Sequence, residues 1–287
     1  MTSESVRPTR STQWWFRRSF PPRVPNGGME YEGALIDLDG TVYRGEDPVS
    51  GAVAALDRLR AAGVRTVFFS NNPTKSRVAY ADRLGALGID VSPDAVLSAG
   101  TVTTRVLADE HPDEATFLIG EAGLRRQFEA ADLDLVADAT DADVLVASYD
   151  REFDYGDMLA GYRALAAGAT FYGTDPDRLV PTADGMVPGS GAVVNAVGGV
   201  LDRTPDRVFG KPSQAAQAAA LDALGVPAER CVVVGDRLET DVALGDRAGM
   251  RTVLVRTGAA TDADVRASEH SPDHVVDSLA HLPAVLR

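Results

Sequence analysis

A chain of 287 residues is long for one small domain and short for three, so two domains is the first expectation. With 45% hydrophobic and 24% charged residues it holds the apolar material for a core, which excludes a fully disordered chain. One cysteine excludes a disulfide framework and a multi-cysteine metal site, no run approaches the roughly 18 apolar residues that span a bilayer, and a net charge of −14 has the wrong sign for a nucleic-acid partner.

No signal peptide is evident, since Trp14-Trp15-Phe16 runs directly into Arg17-Arg18. The expectation is a cytoplasmic protein with no membrane partner. The 28 basic residues are 26 Arg and 2 Lys, and the 42 acidic ones are 30 Asp and 12 Glu. An Asp-rich, Lys-poor surface suits a halophilic cytoplasm, where salt screens self-repulsion. Residues 1–28 carry five Arg against one Glu and show no periodicity, which reads as a disordered basic tail. Met29 opens a clean strand approach.

From Tyr31 onward, strand-like and helix-like segments alternate. Ala34-Leu35-Ile36 is a short apolar run. Pro48 to Ala62 places Val49, Val53, Leu56 and Leu59 on one helical face. Val64 to Phe69 reads as strand, Ser76 to Leu87 as helix, Ala95 to Leu97 as strand and Thr101 to Ala108 as helix. Strands follow at Thr116 to Ile119 and Val144 to Ala147, then a helix from Tyr155 to Ala167 and a strand from Thr170 to Tyr172. Ser213 to Leu224 is helical, Cys231 to Val234 a buried strand, Glu239 to Ala248 a helix and Arg251 to Val255 a strand. Such alternation predicts a parallel α/β architecture.

In open α/β sheets, ligands bind outside the carboxyl ends of the strands. Three predicted strands end in polar clusters, at Asp37-Leu38-Asp39-Gly40-Thr41, Ser70-Asn71-Asn72 and Gly235-Asp236, and a fourth cluster, Gly210-Lys211-Pro212, precedes a helix. More than 130 residues separate the second and fourth clusters and carry their own βα pattern, which predicts an inserted second domain. The expected division is a core from residues 29–108 and 205–287, with an α/β cap from 109–204.

A carboxylate is a useful nucleophile toward a phosphoryl group, and a second carboxylic acid can protonate the leaving alkoxide and then deprotonate water. Asp37 and Asp39 supply that pair, and Asp236 and Asp241 add acidic oxygen from another strand end. Clustered carboxylates call for a hard cation, and oxygen ligands favour Mg²⁺. Ser70 and Asn71 offer a hydroxyl and an amide to the transferring oxygens, and Lys211 offers a positive charge to the phosphate and Asp37. Each cluster alone is common in turns; the four in this order are not.

The four clusters resemble the motifs of the haloacid dehalogenase (HAD) superfamily, and most closely its NagD-like, para-nitrophenylphosphatase-like branch, whose α/β cap lies between motifs two and three. Asp37-Leu38-Asp39-Gly40-Thr41-Val42-Tyr43, Ser70-Asn71-Asn72-Pro73-Thr74-Lys75-Ser76, Gly210-Lys211-Pro212 and Gly235-Asp236-Arg237-Leu238-Glu239-Thr240-Asp241 carry the likeness, with cap signatures at Gly120 to Leu124, Tyr149 to Tyr155 and Thr174 to Gly191. The resemblance implies a Rossmann-like parallel core with the inserted cap and a Mg²⁺-dependent phosphatase acting through an aspartyl-phosphate on a small phosphate ester. Asp37 would be the nucleophile and Asp39 the general acid/base. The metal would be held by Asp37, the Asp39 carbonyl and Asp236, with Asp241 one step further out. Ser70, Asn71 and Lys211 would hold the phosphoryl group. The cap segment with Tyr149, Asp150 and Arg151 would set substrate choice, and caps of this branch often pair into homodimers. A phosphomutase and a non-catalytic phosphate- or nucleotide-binding protein are the alternatives. Only some thirty residues separate the first two motifs, too few for the helical cap of the mutases, and binding alone needs no Asp39. Arg237 is expected as a solvated surface residue, Lys75 as a local cap or ion-pair partner, Cys231 as inert core, and His111, His270, His274 and His281 in surface or structural roles.

Overall fold

A computed structural model describes residues 31–182 and 185–286; the basic tail read at residues 1–28 lies outside the described residues. Six parallel strands form one sheet, in the order His274–Val276, Arg251–Val255, Cys231–Gly235, Gly33–Ile36, Arg65–Ser70 and Val96–Ser98. The strand Gly33–Ile36 lies in the middle, paired in register with Cys231–Val234 on one side and Arg65–Phe68 on the other. Successive side chains of a strand point to opposite faces, so Ala34 and Ile36 enter one apolar cluster with Val232 and Val234, while Leu35 enters another with Val67 and Val233. Both faces are therefore buried, which explains why these strands read as continuous apolar runs.

The first face is covered by the helices Ala52–Ala61 and Arg77–Ala86, the second by Ala99–Glu110 and Gln214–Leu224. Their starts are set by side-chain caps. The Ser76 hydroxyl accepts from Ala79 N–H, Ser213 from Ala216 N–H, and Ser98 forms a reciprocal capping box with Thr101. The predicted helix at Glu239 to Ala248 differs in kind: Leu238–Val242 is a π-helical turn that continues into the helix Ala243–Ala248. Such bulges recur at functional sites, and this one carries Asp241.

A second parallel sheet holds four strands in the order Arg207–Val208, Thr170–Gly173, Val144–Ala147 and Thr116–Ile119. Its edge strand at Arg207–Val208 lies beyond the boundary expected at residue 204. One face shares the second apolar cluster through Leu118, Val144, Val146 and Tyr172, so the core is continuous between the two sheets. The other face packs on the helices Tyr155–Ala167 and Ser190–Gly199. The helix Ser190–Gly199 and the antiparallel hairpin Leu179–Thr182/Gly185–Pro188 were not among the predicted elements. No helix among the described residues is long and apolar enough to cross a membrane.

Candidate active site

The carboxyl ends of three adjacent core strands place Asp37, Ser70 and Asp236 together, and the loop before the helix Gln214–Leu224 adds Lys211. Asp37 is locked by its own backbone, whose N–H donates to the Val234 carbonyl at 2.9 Å. The Lys211 ammonium donates to Asp37 Oδ1 at 2.7 Å, to Asp241 Oδ1 at 2.6 Å and to the Phe69 carbonyl at 2.9 Å. Its side chain is only 2% exposed, as is that of Asp241. The Thr41 hydroxyl donates to Asp37 Oδ2 at 3.2 Å, and Arg237 N–H donates to Asp241 Oδ2 at 3.2 Å.

Two glycines permit this crowding. A Cβ on Gly40 would stand 2.5 Å from Asp236 Oδ2, and Gly40 also takes φ +88°, a left-handed conformation that disfavours any side chain. A Cβ on Gly258 would stand 1.8 Å from the same oxygen. The neighbouring Ala259 N–H donates to Asp236 Oδ2 at 2.6 Å, and the Thr257 hydroxyl donates to the Gly40 carbonyl at 2.6 Å. The sequence reading missed this Thr257–Ala259 loop. The signal was present, because the loop follows the strand Arg251–Val255, next in the sheet to the one bearing Asp236.

The electrostatics follow from burial. Asp37 is pushed well above the ordinary carboxylate pKa by burial, with Lys211 pulling it down and Asp241 and Asp236 pushing it further up. Burial first, then the Asp241 charge, raises Asp236 to about 6. Burial alone would depress the Lys211 ammonium, but Asp241 and Asp37 outweigh it and hold it above the usual lysine value. Asp39 opens to solvent at the mouth, yet the protein mass around it raises its carboxyl, against the opposing charges of Arg83 and Lys75.

The donor set fits a hard divalent ion. Asp37, Asp236 and Asp241 are all buried and present carboxylate oxygens within 4.8 Å of one another. Three carboxylates against the one Lys211 ammonium leave two formal negative charges, and oxygen-only donors match Mg²⁺.

Two sequence expectations are altered. The Asn71 amide does not stand free for a phosphoryl oxygen. It clamps the Lys211 backbone, accepting from its N–H at 2.8 Å and donating to its carbonyl at 3.2 Å. Arg237 is not a solvated surface residue either. It is 26% exposed, lies 3.5 Å from Asp177 Oδ1, and donates to the Leu179 carbonyl at 3.4 Å. Its attraction to the acid cluster and Asp177 overcomes its preference for water. Asp177, which lies in the cap signature Thr174 to Gly191 but was given no role of its own, also accepts from the Asn71 amide at 3.5 Å, so it ties the hairpin region to two motif residues. Its neighbour Asp175 is 2% exposed and accepts from Thr174 Oγ1 and Asp177 N–H; burial and the Asp177 charge raise its carboxyl to about 8.

Tyr149, Asp150 and Arg151 sit apart from this network. Tyr149 N–H donates to Ser190 Oγ, Asp150 Oδ1 accepts from Glu152 N–H, and Arg151 pairs with Glu121 at 2.5 Å while 73% exposed. None of the three is hydrogen-bonded or ion-paired to a motif side chain among the described residues. Cys231 is buried, and His111 bridges Glu114 and the Tyr172 hydroxyl, a structural role.

An α/β core that gathers carboxylates and one lysine at its strand ends defines a phosphoryl-transfer class of protein. Comparison with known proteins narrows this. Residues 34–134 match a family model of haloacid dehalogenase-like hydrolases, and residues 208–282 match a second model of such hydrolases. The chain is 33% identical over 247 residues to the sugar-phosphatase AraL of Bacillus subtilis, covering 86% of this chain and 90% of that protein. It is 32% identical to an acid sugar phosphatase of Staphylococcus epidermidis, over 85% of this chain and 93% of the relative. Among solved structures it is similar to a p-nitrophenyl phosphatase from Archaeoglobus fulgidus, with a TM-score of 0.84, 35% identity and coverage of 89% and 99% of the two chains. NagD from E. coli superposes with a TM-score of 0.78 at 26% identity, over 87% and 97%. The chain belongs to the haloacid dehalogenase-like hydrolases, in their NagD-like branch, and is a phosphatase.

Proposed function

We propose that the protein is a Mg²⁺-dependent phosphatase of small phosphate esters, with sugar phosphates as the first substrates to test, acting through a phosphorylated Asp37. The observation that carries this is the convergence of Asp37, Lys211, Asp236 and Asp241 from three chain segments into one buried cluster. The likeness to sugar phosphatases and nitrophenylphosphatases supports the substrate class.

Asp37, the Asp39 carbonyl and Asp236 would hold the metal, with Asp241 steadying the cluster through Lys211. When bound, the ion neutralises negative charge at the phosphoryl oxygens. The Ser70 hydroxyl, already in contact with the Tyr80 hydroxyl at 3.2 Å, and the Asn71 main chain hold the phosphoryl group. An Asp37 carboxylate oxygen bonds phosphorus as the ester P–O bond breaks, and the Asp39 carboxylic acid gives its proton to the leaving alkoxide. The raised Asp39 pKa favours that proton-carrying state. The Asp39 carboxylate then takes a proton from water as the water oxygen bonds phosphorus. The Asp37–phosphorus bond breaks and inorganic phosphate leaves, restoring both carboxyl groups. Lys211 pins the nucleophile's other oxygen and balances its charge throughout.

Residues 109–204, extended through the edge strand at Val208, act as the cap that shields the leaving group, and its pairing into a homodimer belongs to the same proposal. So do the cytoplasmic setting and the salt tolerance of the Asp-rich surface. The test is release of phosphate from p-nitrophenyl phosphate and a panel of sugar phosphates. Turnover is expected with Mg²⁺, to be silenced by EDTA and restored by added Mg²⁺. Full activity in EDTA would contradict the metal assignment.

A further inference from the structure

Of the two lysines in 287 residues, one is the fully engaged Lys211 and the other, Lys75, stands beside the same site. Both survive in a chain that uses arginine at 26 other basic positions. Their surroundings differ. Lys211 donates to three oxygens, whereas the half-buried Lys75 ammonium has no hydrogen bond or ion pair among the described residues and lies 5.8 Å from the Tyr80 ring centroid. Tyr80 is fixed in turn by its hydroxyl, which reaches Ser70 Oγ at 3.2 Å and the Asn72 carbonyl at 3.0 Å.

A second cation completes the wall. The Arg83 guanidinium stacks 4.2 Å over the Tyr43 ring, and Tyr43 is bridged to Asp39 through the backbone. The carboxylate partner of Arg83, Glu46, is 3.6 Å away and 92% exposed, so water screens that pair. Lys75 is pushed below the usual lysine pKa, first by burial and then by the like charge of Arg83. The same two cations are the strongest charges opposing the rise of Asp39. Lys75 also immediately precedes Ser76, the cap of the ten-residue helix Arg77–Ala86, whose positive end adds to the same neighbourhood. Crowded, half-desolvated positive charge is costly to hold when the carboxylates that attract Lys75, Asp39 and the exposed Glu46, make no ion pair with it among the described residues, and an arriving anion relieves the cost.

We propose that Lys75, with Arg83 beside it, forms a second anion-binding subsite on the leaving-group side of Asp39, so that preferred substrates carry a carboxylate or a second phosphate besides the phosphoryl group removed. This rests on Asp39 being the general acid. A group that protonates the leaving oxygen faces the organic part of the substrate, and so do the cations flanking it.

The experiment compares kcat/KM of the Mg²⁺-loaded enzyme on two matched pairs: 2-phosphoglycolate against ethyl phosphate, and fructose 1,6-bisphosphate against fructose 6-phosphate. The pairs place the second anion at a short and a long span. The wild type is expected to favour the doubly anionic member of at least one pair by about tenfold or more, the scale of one charge-assisted hydrogen bond. Lys75→Ala and Lys75→Gln should lose most of that preference, chiefly through KM, and Lys75→Arg should keep it. The glutamine variant retains the stem, which separates lost charge from lost packing. Equal losses on both members of each pair, with a displaced pH profile, would mean that Lys75 only tunes Asp39 and would overturn the subsite. Absence of any wild-type preference would overturn it as well. Failure of the wild type on all four esters and on p-nitrophenyl phosphate would sink the phosphatase reading and the subsite together.

Discussion

The acid cluster at the end of the six-stranded sheet and the Tyr149–Arg151 loop at the end of the four-stranded sheet occupy equivalent places on their strands, yet they are built differently. In the cluster, Lys211 and Asp241 are each 2% exposed, and their bond of 2.6 Å holds a charge that has nowhere else to go. In the loop, Arg151 is 73% exposed and its bond to Glu121 competes with water. A buried pair is weak as a source of net stability but severe when broken, because the survivor keeps its charge without its partner. An exposed pair is worth little either way. The comparison teaches that the first region is held rigid by the cost of stranding a buried charge, while the second can rearrange at little cost.

Four substitutions test that contrast, taken in order of expected effect. Asp37→Asn should cut turnover of p-nitrophenyl phosphate by about 10⁴-fold or more, the scale for losing a nucleophile, with the fold intact by circular dichroism. Lys211→Met should lower kcat by about 10²–10³-fold. Because it leaves Asp37 and Asp241 facing each other, it should also cost about 3–5 kcal/mol in urea unfolding. Asp177→Asn, which removes the charge facing Arg237 across the two sheets, should lower kcat/KM by about tenfold, whereas Arg151→Ala should leave Tm unchanged within error. A larger stability loss from Arg151→Ala than from Lys211→Met would break the comparison.

A fifth substitution concerns pH. Asp175 carries a carboxyl raised to about 8 in the folded state, against 3.8 as the ordinary value. The folded protein therefore holds that proton more tightly than the unfolded chain. Its contribution to stability is full below the unfolded pKa and drains away as pH rises from about 4 through about 8. Asp175→Asn keeps the shape without the charge, so Tm measured at pH 8.5 should rise while Tm at pH 4 barely moves. An equal shift at both pH values would contradict the assignment.

Much of the catalytic end was legible because its logic is local. Asp37, Ser70 and Asp236 each terminate a strand whose apolar run announces it, and Lys211 stands out in a chain nearly free of lysine. The Asp175–Asp177–Arg237 network was not legible. It joins residues some sixty positions apart, and only the way the hairpin region meets the core brings them within 3.5 Å. The engagement of the Asn71 side chain was not legible for a related reason: the main chain of Lys211, 140 residues away, meets both ends of its amide. The helix Ser190–Gly199 escaped notice because its sequence, SGAVVNAVGG, is rich in residues that disfavour isolated helices. Burial of Val193, Val194 and Val197 in the cluster that includes Phe171 stabilises it instead. Short strands such as His274–Val276 offer three residues and no period to recognise.

The central claim is that Asp37 itself becomes phosphorylated. The most direct measurement is to quench the enzyme during turnover, reduce with borohydride and map the peptides by mass. The account predicts homoserine at position 37, formed from the acyl phosphate, and none in Asp37→Asn. Rapid turnover with an unmodified residue 37, or with the modification at another carboxylate, would contradict it.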